Sequence, residues 1–170
     1  MHSGRFVETA IRRNIVRFSG GTAWENVRII QVKNADELRR CLKIREAVFM
    51  VEKGVPKEIE VDEHDRLGGR CGHFLIQYRQ KDAGTIRCLD TAEKTICIQR
   101  FCFLKEFRNL GLGRTTLKFM EDHYKRKGKT TVELNAKYEA CGFYEKCGYK
   151  KVSGVFMEAG VRHVAMMKTL

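Results

Sequence analysis

Apolar and polar positions recur along this chain in two periods, and the switches between them mark out its elements. VRIIQV (27–32) reads as a strand, and Asn34 or Asp36 stands ready to cap the helix that follows. On a helical wheel for 36–52, Leu38, Cys41, Leu42, Val48 and Phe49 share one face. Arg45 and Glu52 fall in the middle of that face. A charge there must be paired, line a cleft, or snorkel to water, because burying it alone is costly. Residues 53–69 form a long loop, acidic in its middle, and loops of that length in compact domains usually carry function.

CGHFLIQYR (71–79), GTIRCLD (84–90) and KTICIQRFCFL (94–104) then read as three strands, with hairpin turns at QKDAG and TAE. The third is apolar on both faces, as a covered central strand should be. Leu112, Thr116, Phe119, Met120 and His123 make a helical stripe from 112 to about 127, closed by Gly128. TVELNA (131–136) is a strand and KYEACGFYEKCG (137–148) a short helix. A hairpin around MEAG ends the chain. The order is β, α, β, β, β, α, β, α, β, β. Residues 1–24 look like an appended, flexible extension. Phe6, Ile11, Ile15 and Phe18 could line a short helix there, and SGGTA (19–23) reads as a joint. The regular domain spans 25–170.

Composition narrows the class. With 170 residues, 43% hydrophobic and 32% charged, the chain is long enough for one well-cored globular domain. No apolar run approaches the roughly 18–20 residues of a membrane span. The opening residues lack a secretory apolar region, so a cytoplasmic protein is expected. Seven cysteines without a CxxC spacing suggest reduced, buried thiols and no zinc ribbon. Cys97 and Cys102 lie five apart on one strand, so simple alternation sets them on opposite sides. The net charge of +12 suits an anionic ligand or nucleic acid. Aromatics interleaved with Lys and Arg are missing, which argues against a nucleic-acid platform.

The segment carrying recognisable chemistry is RNLGLGR (108–114), which follows a central strand and opens a helix. Gly111 and Gly113 remove side chains where the backbone turns, and amides at a helix N-terminus favour anions. Arg108 and Arg114 add cationic donors. Neither a Walker loop nor a dinucleotide fingerprint fits the spacing.

In this segment the chain resembles the GNAT superfamily of N-acetyltransferases, whose cradle [RQ]xxGx[GA] is matched by Arg108, Gly111 and Gly113. REAVFMVEKGVPKEIEVDEHD (45–65), GHFL (72–75), GTIR (84–87), LNA (134–136), FYEKCGY (143–149) and FMEAGVRHVAMMK (156–168) extend the likeness, which is narrowest to a bacterial branch of small acetyltransferases. The resemblance implies a three-layer α/β GNAT fold. Its sheet is mostly antiparallel, with a splayed parallel pairing of the domain's fourth and fifth strands, flanked by helices. It also implies transfer of an acetyl group from acetyl-CoA to a primary amine by direct attack in a ternary complex.

By the same resemblance, the backbone of Phe101, Cys102 and Phe103 would meet the pantetheine arm. Arg108, Asn109, Leu110, Gly111, Leu112, Gly113 and Arg114 would hold the pyrophosphate, and Asn135 would join the cofactor set. Tyr144 matches the residue that protonates the departing thiolate, although it could merely pack its helix; Tyr138 is a weaker candidate. Bases to consider are Glu52, first among them, then Glu60, Asp62, Asp65, Glu133 and His73, with a water relay as the alternative. Arg45, Glu60, Asp65 and His73 are the candidate substrate contacts. No metal is expected: Glu63-His64-Asp65 lacks a helical ligand pair and reads as solvated loop.

The chain departs from the family's habits at Glu52-Lys53-Gly54, at Lys137 and at Asn109, where Gln, Asn or Gln, and Gly are frequent. The acidic loop 58–65 suggests a cationic acceptor such as a polyamine, amino sugar or lysine side chain. A homodimer is left open. A non-catalytic acyl-CoA-binding module and an RNA- or ribosome-associated protein are the rival readings.

Overall fold

The computed structural model describes residues 15–17 and 26–170. Its described strands form one sheet in the order β1-β2-β3-β4-β5-β6-β8-β7. They are β1 (Ile15–Arg17), β2 (Val27–Gln31), β3 (Cys71–Tyr78), β4 (Lys81–Ala92), β5 (Thr95–Phe103), β6 (Thr131–Lys137), β7 (Lys150–Glu158) and β8 (Val161–Thr169). All neighbours pair antiparallel except β5 and β6, the parallel pair expected between the domain's fourth and fifth strands. Most of the expected N-terminal helix lies outside the described residues. Ile15–Arg17, within it, instead form an edge strand opposite Arg28–Ile30.

Alternation along the strands divides the core into two layers. Phe74 and Ile76 of β3, Ile86 and Cys88 of β4, and Ile96 and Ile98 of β5 face α3 (Leu112–Arg126), where Leu117, Met120 and Tyr124 are buried. Leu75 and Cys102 face the other way, onto Cys41, Ile44 and Val48 of the first helix. Each such aliphatic side chain contributes roughly 1.5–3 kcal/mol by its burial.

The first helix departs from its simple reading. α1 (Ala35–Arg45) starts at Asn34, whose side chain accepts from the Glu37 amide. It then widens into a π-helical turn over Glu46–Glu52, a feature that concentrates at functional sites. Gly54, at φ +67°, follows directly. The long loop is not structureless either, because Lys57–Glu60 make one helical turn, α2, after Pro56.

Two further expectations change. The β3–β4 turn is tighter than QKDAG: Arg79 and Gln80 occupy it at φ +48° and +66°, and Lys81–Ala83 belong to the strand. The expected helix at 137–148 is a 3-10 turn (Tyr138–Ala140) leading into α4 (Cys141–Lys146). Among the described residues no helix is long and apolar enough to cross a membrane.

A bulge in β5 matters most for function. Gln99 pairs with Arg87 and Cys102 with Thr85, so an extra residue is accommodated around Arg100, which sits at φ +49°. The insertion reverses alternation. Cys97 and Cys102 therefore face the same side of the sheet, contrary to unbroken counting, while Phe101 and Phe103 remain with Ile98 on the α3 side. Pairing between β5 and β6 runs only from Thr95–Ile98 opposite Thr131–Leu134. Beyond Ile98 the two strands part, and the gap between them is the site.

Candidate active site

One cleft, of about 610 Å³, lies at this gap, lined from the π-helical turn by Val48 and Phe49 as well as from the head of α3. Phe101, Cys102 and Phe103 line it along β5. Asn109, Gly111, Leu112, Gly113 and Arg114 line it at the head of α3. Leu110 is exposed beside them. Asn109 and Gly111 take left-handed conformations at φ +61° and +76°, turning the chain sharply into the helix. The first helical return bond is Thr115 N–H to Gly111 C=O, so the amides of Leu112, Gly113 and Arg114 precede the helix ladder. Open amides, the helix dipole and Arg114 are grouped where the head of α3 borders the cleft.

The two glycines serve different ends. A Cβ on Gly111 would meet nothing within 4 Å, so its requirement is the positive φ and the open space before it. A Cβ on Gly113 would come within 3.0 Å of the Phe143 ring, so this glycine seats α4 against α3.

Arg108 is engaged within the fold. Both of its terminal nitrogens reach Glu52, at 2.8 and 2.6 Å, and its Nε donates to the Phe103 carbonyl at 3.0 Å. The arginine thus ties the end of the π-helical turn to the end of the bulged strand. That bond, before any other cause, holds the Glu52 carboxyl below its usual range. A carboxylate so occupied is a weak base.

A second cleft, of about 470 Å³, shares Tyr144 with the first. Val55, Ile59, Ile98 and Leu134 give it apolar walls, and Lys53, Lys137, Glu158 and His163 give it polar groups. Asn135 lines this cleft and not the first, with its amide 3.4 and 3.5 Å from the Glu158 carboxylate. Phe49, Lys53, Phe101, Ala140 and Tyr144 border both clefts. Burial raises the Tyr144 phenol well above its ordinary pKa, so it is neutral and retains its proton.

The acidic loop is spent on an internal brace. Arg45, 2% exposed, donates to Glu60 at 2.5 Å and to both oxygens of Asp65 at 2.5 and 2.9 Å. Arg87, equally buried, holds Asp62 at 2.6 and 2.7 Å and Asp65 at 3.0 Å. Arg100, projecting from the bulge, pairs with Glu60 at 3.1 Å and donates to the carbonyls of Ile59 and Glu60. His73 is buried and bonds through Nε2 to the His64 carbonyl at 2.9 Å. Of the four residues expected to contact substrate, Glu60 lines a cleft; Arg45, Asp65 and His73 line neither. Among the described residues no group of three or more His, Cys, Asp or Glu side chains is arranged to hold a metal.

Glu158 and His163 escaped the sequence reading. Both come from the terminal hairpin, where His163 pairs in register with Lys137 of β6. Only the strand order β6-β8-β7 brings them to the site, and the nearest hint was the segment FMEAGVRHVAMMK.

The chain shares its sequence pattern and its overall fold with known proteins. The model of the acetyltransferase (GNAT) domain matches residues 52–170. The chain belongs to the GNAT acetyltransferase family. The YyaT protein of Bacillus subtilis strain 168 is 37% identical over 142 residues, covering 84% of this chain and 95% of that one. A Lactobacillus plantarum protein of known crystal structure superposes with a TM-score of 0.80 at 28% identity, over 85% of this chain and 99% of its own. An acyl-CoA N-acyltransferase from Pseudomonas aeruginosa does so at 0.73 and 25%, over 84% and 98%. GNAT membership supports an acyl-CoA co-substrate and an acceptor for the acyl group, and the first cleft is compatible with the former: it joins a helix end with open amides to the aromatic walls of Phe101, Phe103 and Phe143.

Proposed function

We propose that this GNAT protein transfers an acetyl group from acetyl-CoA to a primary amine by direct attack. The observation carrying this reading is the meeting of the two clefts at Tyr144. Acetyl-CoA supplies an activated thioester, and the chain's residues bind it, orient it and manage two protons.

In this reading the open amides at Leu112–Arg114, with Arg114, hold the pyrophosphate. The free edge of β5 at Phe101–Phe103 offers backbone groups to the pantetheine amides. Tyr144, kept neutral by burial, hydrogen-bonds the departing sulfur and gives it a proton as the thioester bond breaks.

The incoming amine must also lose a proton. Glu52 suits this poorly, being gripped by Arg108, and we assign it to fastening the cradle. His163 suits it better. Its Nδ1 hydrogen goes to the Val161 carbonyl at 2.9 Å, which leaves Nε2 as the acceptor, 3.8 Å from Glu158. Arg45, Asp65 and His73 we assign to bracing the loop that walls the second cleft.

A thiol-release assay with acetyl-CoA over a panel of primary amines tests the reaction. Turnover with at least one amine, abolished or strongly reduced by Tyr144→Phe, is the expected result. Acetyl-CoA binding without thiol release for every amine would reject it.

A further inference from the structure

The second cleft has a charge imbalance that the brace makes visible. Three of the five loop acids that suggested a cationic acceptor are neutralised within the fold: Glu60 by Arg45 and Arg100, Asp62 by Arg87, and Asp65 by Arg45 and Arg87; Glu58 and Glu63 are exposed. Glu158 faces Asn135 and His163. Arg108 is satisfied by Glu52.

Two cations in the cleft are left over. Among the described residues neither Lys53 nor Lys137 has a carboxylate within ion-pair distance. Lys53 closes the π-helical turn, and Lys137 ends β6 with its ammonium 6.0 Å from the Phe49 ring centre. Lys137 is half-buried, and its pKa is lowered, first by burial and next by Lys53. Lys53 is exposed at the rim of the same cleft, and two like charges bordering one cleft repel each other, a repulsion that an anion bound between them would relieve.

We propose that Lys53 and Lys137 form a carboxylate-binding subsite, so that the acceptor is an amine that also carries a carboxylate, with Val55, Ile59 and Leu134 packing its carbon chain. Polyamines and amino sugars without an acid group are then poor acceptors, because they would bring a second positive charge to this pair. The inference rests on the acyl-transfer reading above and deepens it.

The test compares γ-aminobutyrate with n-propylamine, β-alanine with ethylamine, and both pairs with spermidine, by thiol release from acetyl-CoA. Carboxylated amines are expected to show kcat/KM roughly 10- to 100-fold above their partners, the worth of one charge-assisted contact. Lys137→Met and Lys53→Met should each collapse that ratio, and Lys137→Glu should invert it towards spermidine. Equal or better turnover of the uncharged amines or spermidine by the native protein overturns the proposal. So does a ratio unaltered in Lys137→Met.

A donor arm separates the other source of a carboxylate. Succinyl-CoA outpacing acetyl-CoA with n-propylamine, with that advantage lost in Lys137→Met, moves the anion to the acyl group and refutes the acceptor assignment. Should no amine release thiol, the acyl-transfer reading falls, but the subsite is still decided by calorimetry with N-acetyl-γ-aminobutyrate in the presence of CoA. Binding weakened in Lys137→Met supports it, and affinity equal in the two proteins refutes it.

Discussion

A Cβ placed on Gly84 would stand 2.4 Å from Cδ1 of Phe103 and 2.7 Å from the Cys102 carbonyl. The ring of the last β5 residue therefore lies directly over a bare position on β4, which lets the splayed end of β5 fold close to its partner while Phe103 walls the first cleft. Gly84→Ala must displace that ring. The substitution should cost about 1–3 kcal/mol of stability, the usual penalty of overpacking, and raise KM for acetyl-CoA more than KM for the amine. A melting curve with substrate-saturation kinetics measures both. An unchanged KM for acetyl-CoA would detach Phe103 from the cofactor cleft.

Tyr144→Phe removes the proposed acid and leaves the ring's packing. With the phenol contributing general-acid catalysis, kcat should fall by about 10²- to 10⁴-fold while acetyl-CoA affinity changes little. Single-turnover thiol release and equilibrium binding separate the two effects. Full turnover in the variant would reduce Tyr144 to a packing residue, the other reading its helix allows.

The brace predicts an acid limb of stability. Asp65 is held at a pKa of about 2, its own burial working against the bonds from Arg45 and the Asp62 amide that bring it down. The unfolded reference is about 3.9. This depressed pKa stabilises the fold by about 2 kcal/mol above pH 4, and the contribution is lost as pH falls from 4 towards 2. Asp65→Asn should flatten that limb in a pH series of melting temperatures. Arg45→Met, which takes from Glu60 and Asp65 one of the two arginines that each pairs with, should cost up to about 3–5 kcal/mol at neutral pH.

These residues also show what a sequence can and cannot reveal. Strand and helix positions were readable because alternation and the 3.6-residue stripe are local, and the cradle was readable because RNLGLGR is contiguous. Arg45 was recognisable as a charge on an apolar face, but its partners lie 15 and 20 positions away, and Arg87 and Arg100 gave no local sign of joining them. The loop acids thus looked available for a cationic substrate. The bulge at Arg100 leaves no mark in the hydrophobic pattern, so counting along β5 set Cys102 on the wrong face. Lys137 stood out only as a departure from the family's habit. Glu158 and His163 needed the pairing of β8 with β6 before they could be placed at the same cleft.

His163 offers the most discriminating prediction, because it was reached through tertiary structure alone. If its Nε2 accepts the proton of the incoming amine, His163→Gln should lower kcat/KM at neutral pH by about 10²- to 10⁴-fold. The deficit should shrink as pH approaches the acceptor's own pKa, where free amine is supplied by solvent and needs no base. Glu52→Gln should leave the shape of that profile intact while weakening acetyl-CoA binding, since it loosens Arg108 from the strand it anchors. Rates for His163→Gln that parallel the native protein at every pH would return the proton to a water relay and leave His163 as a packing partner of Phe156, 6.2 Å away between ring centres.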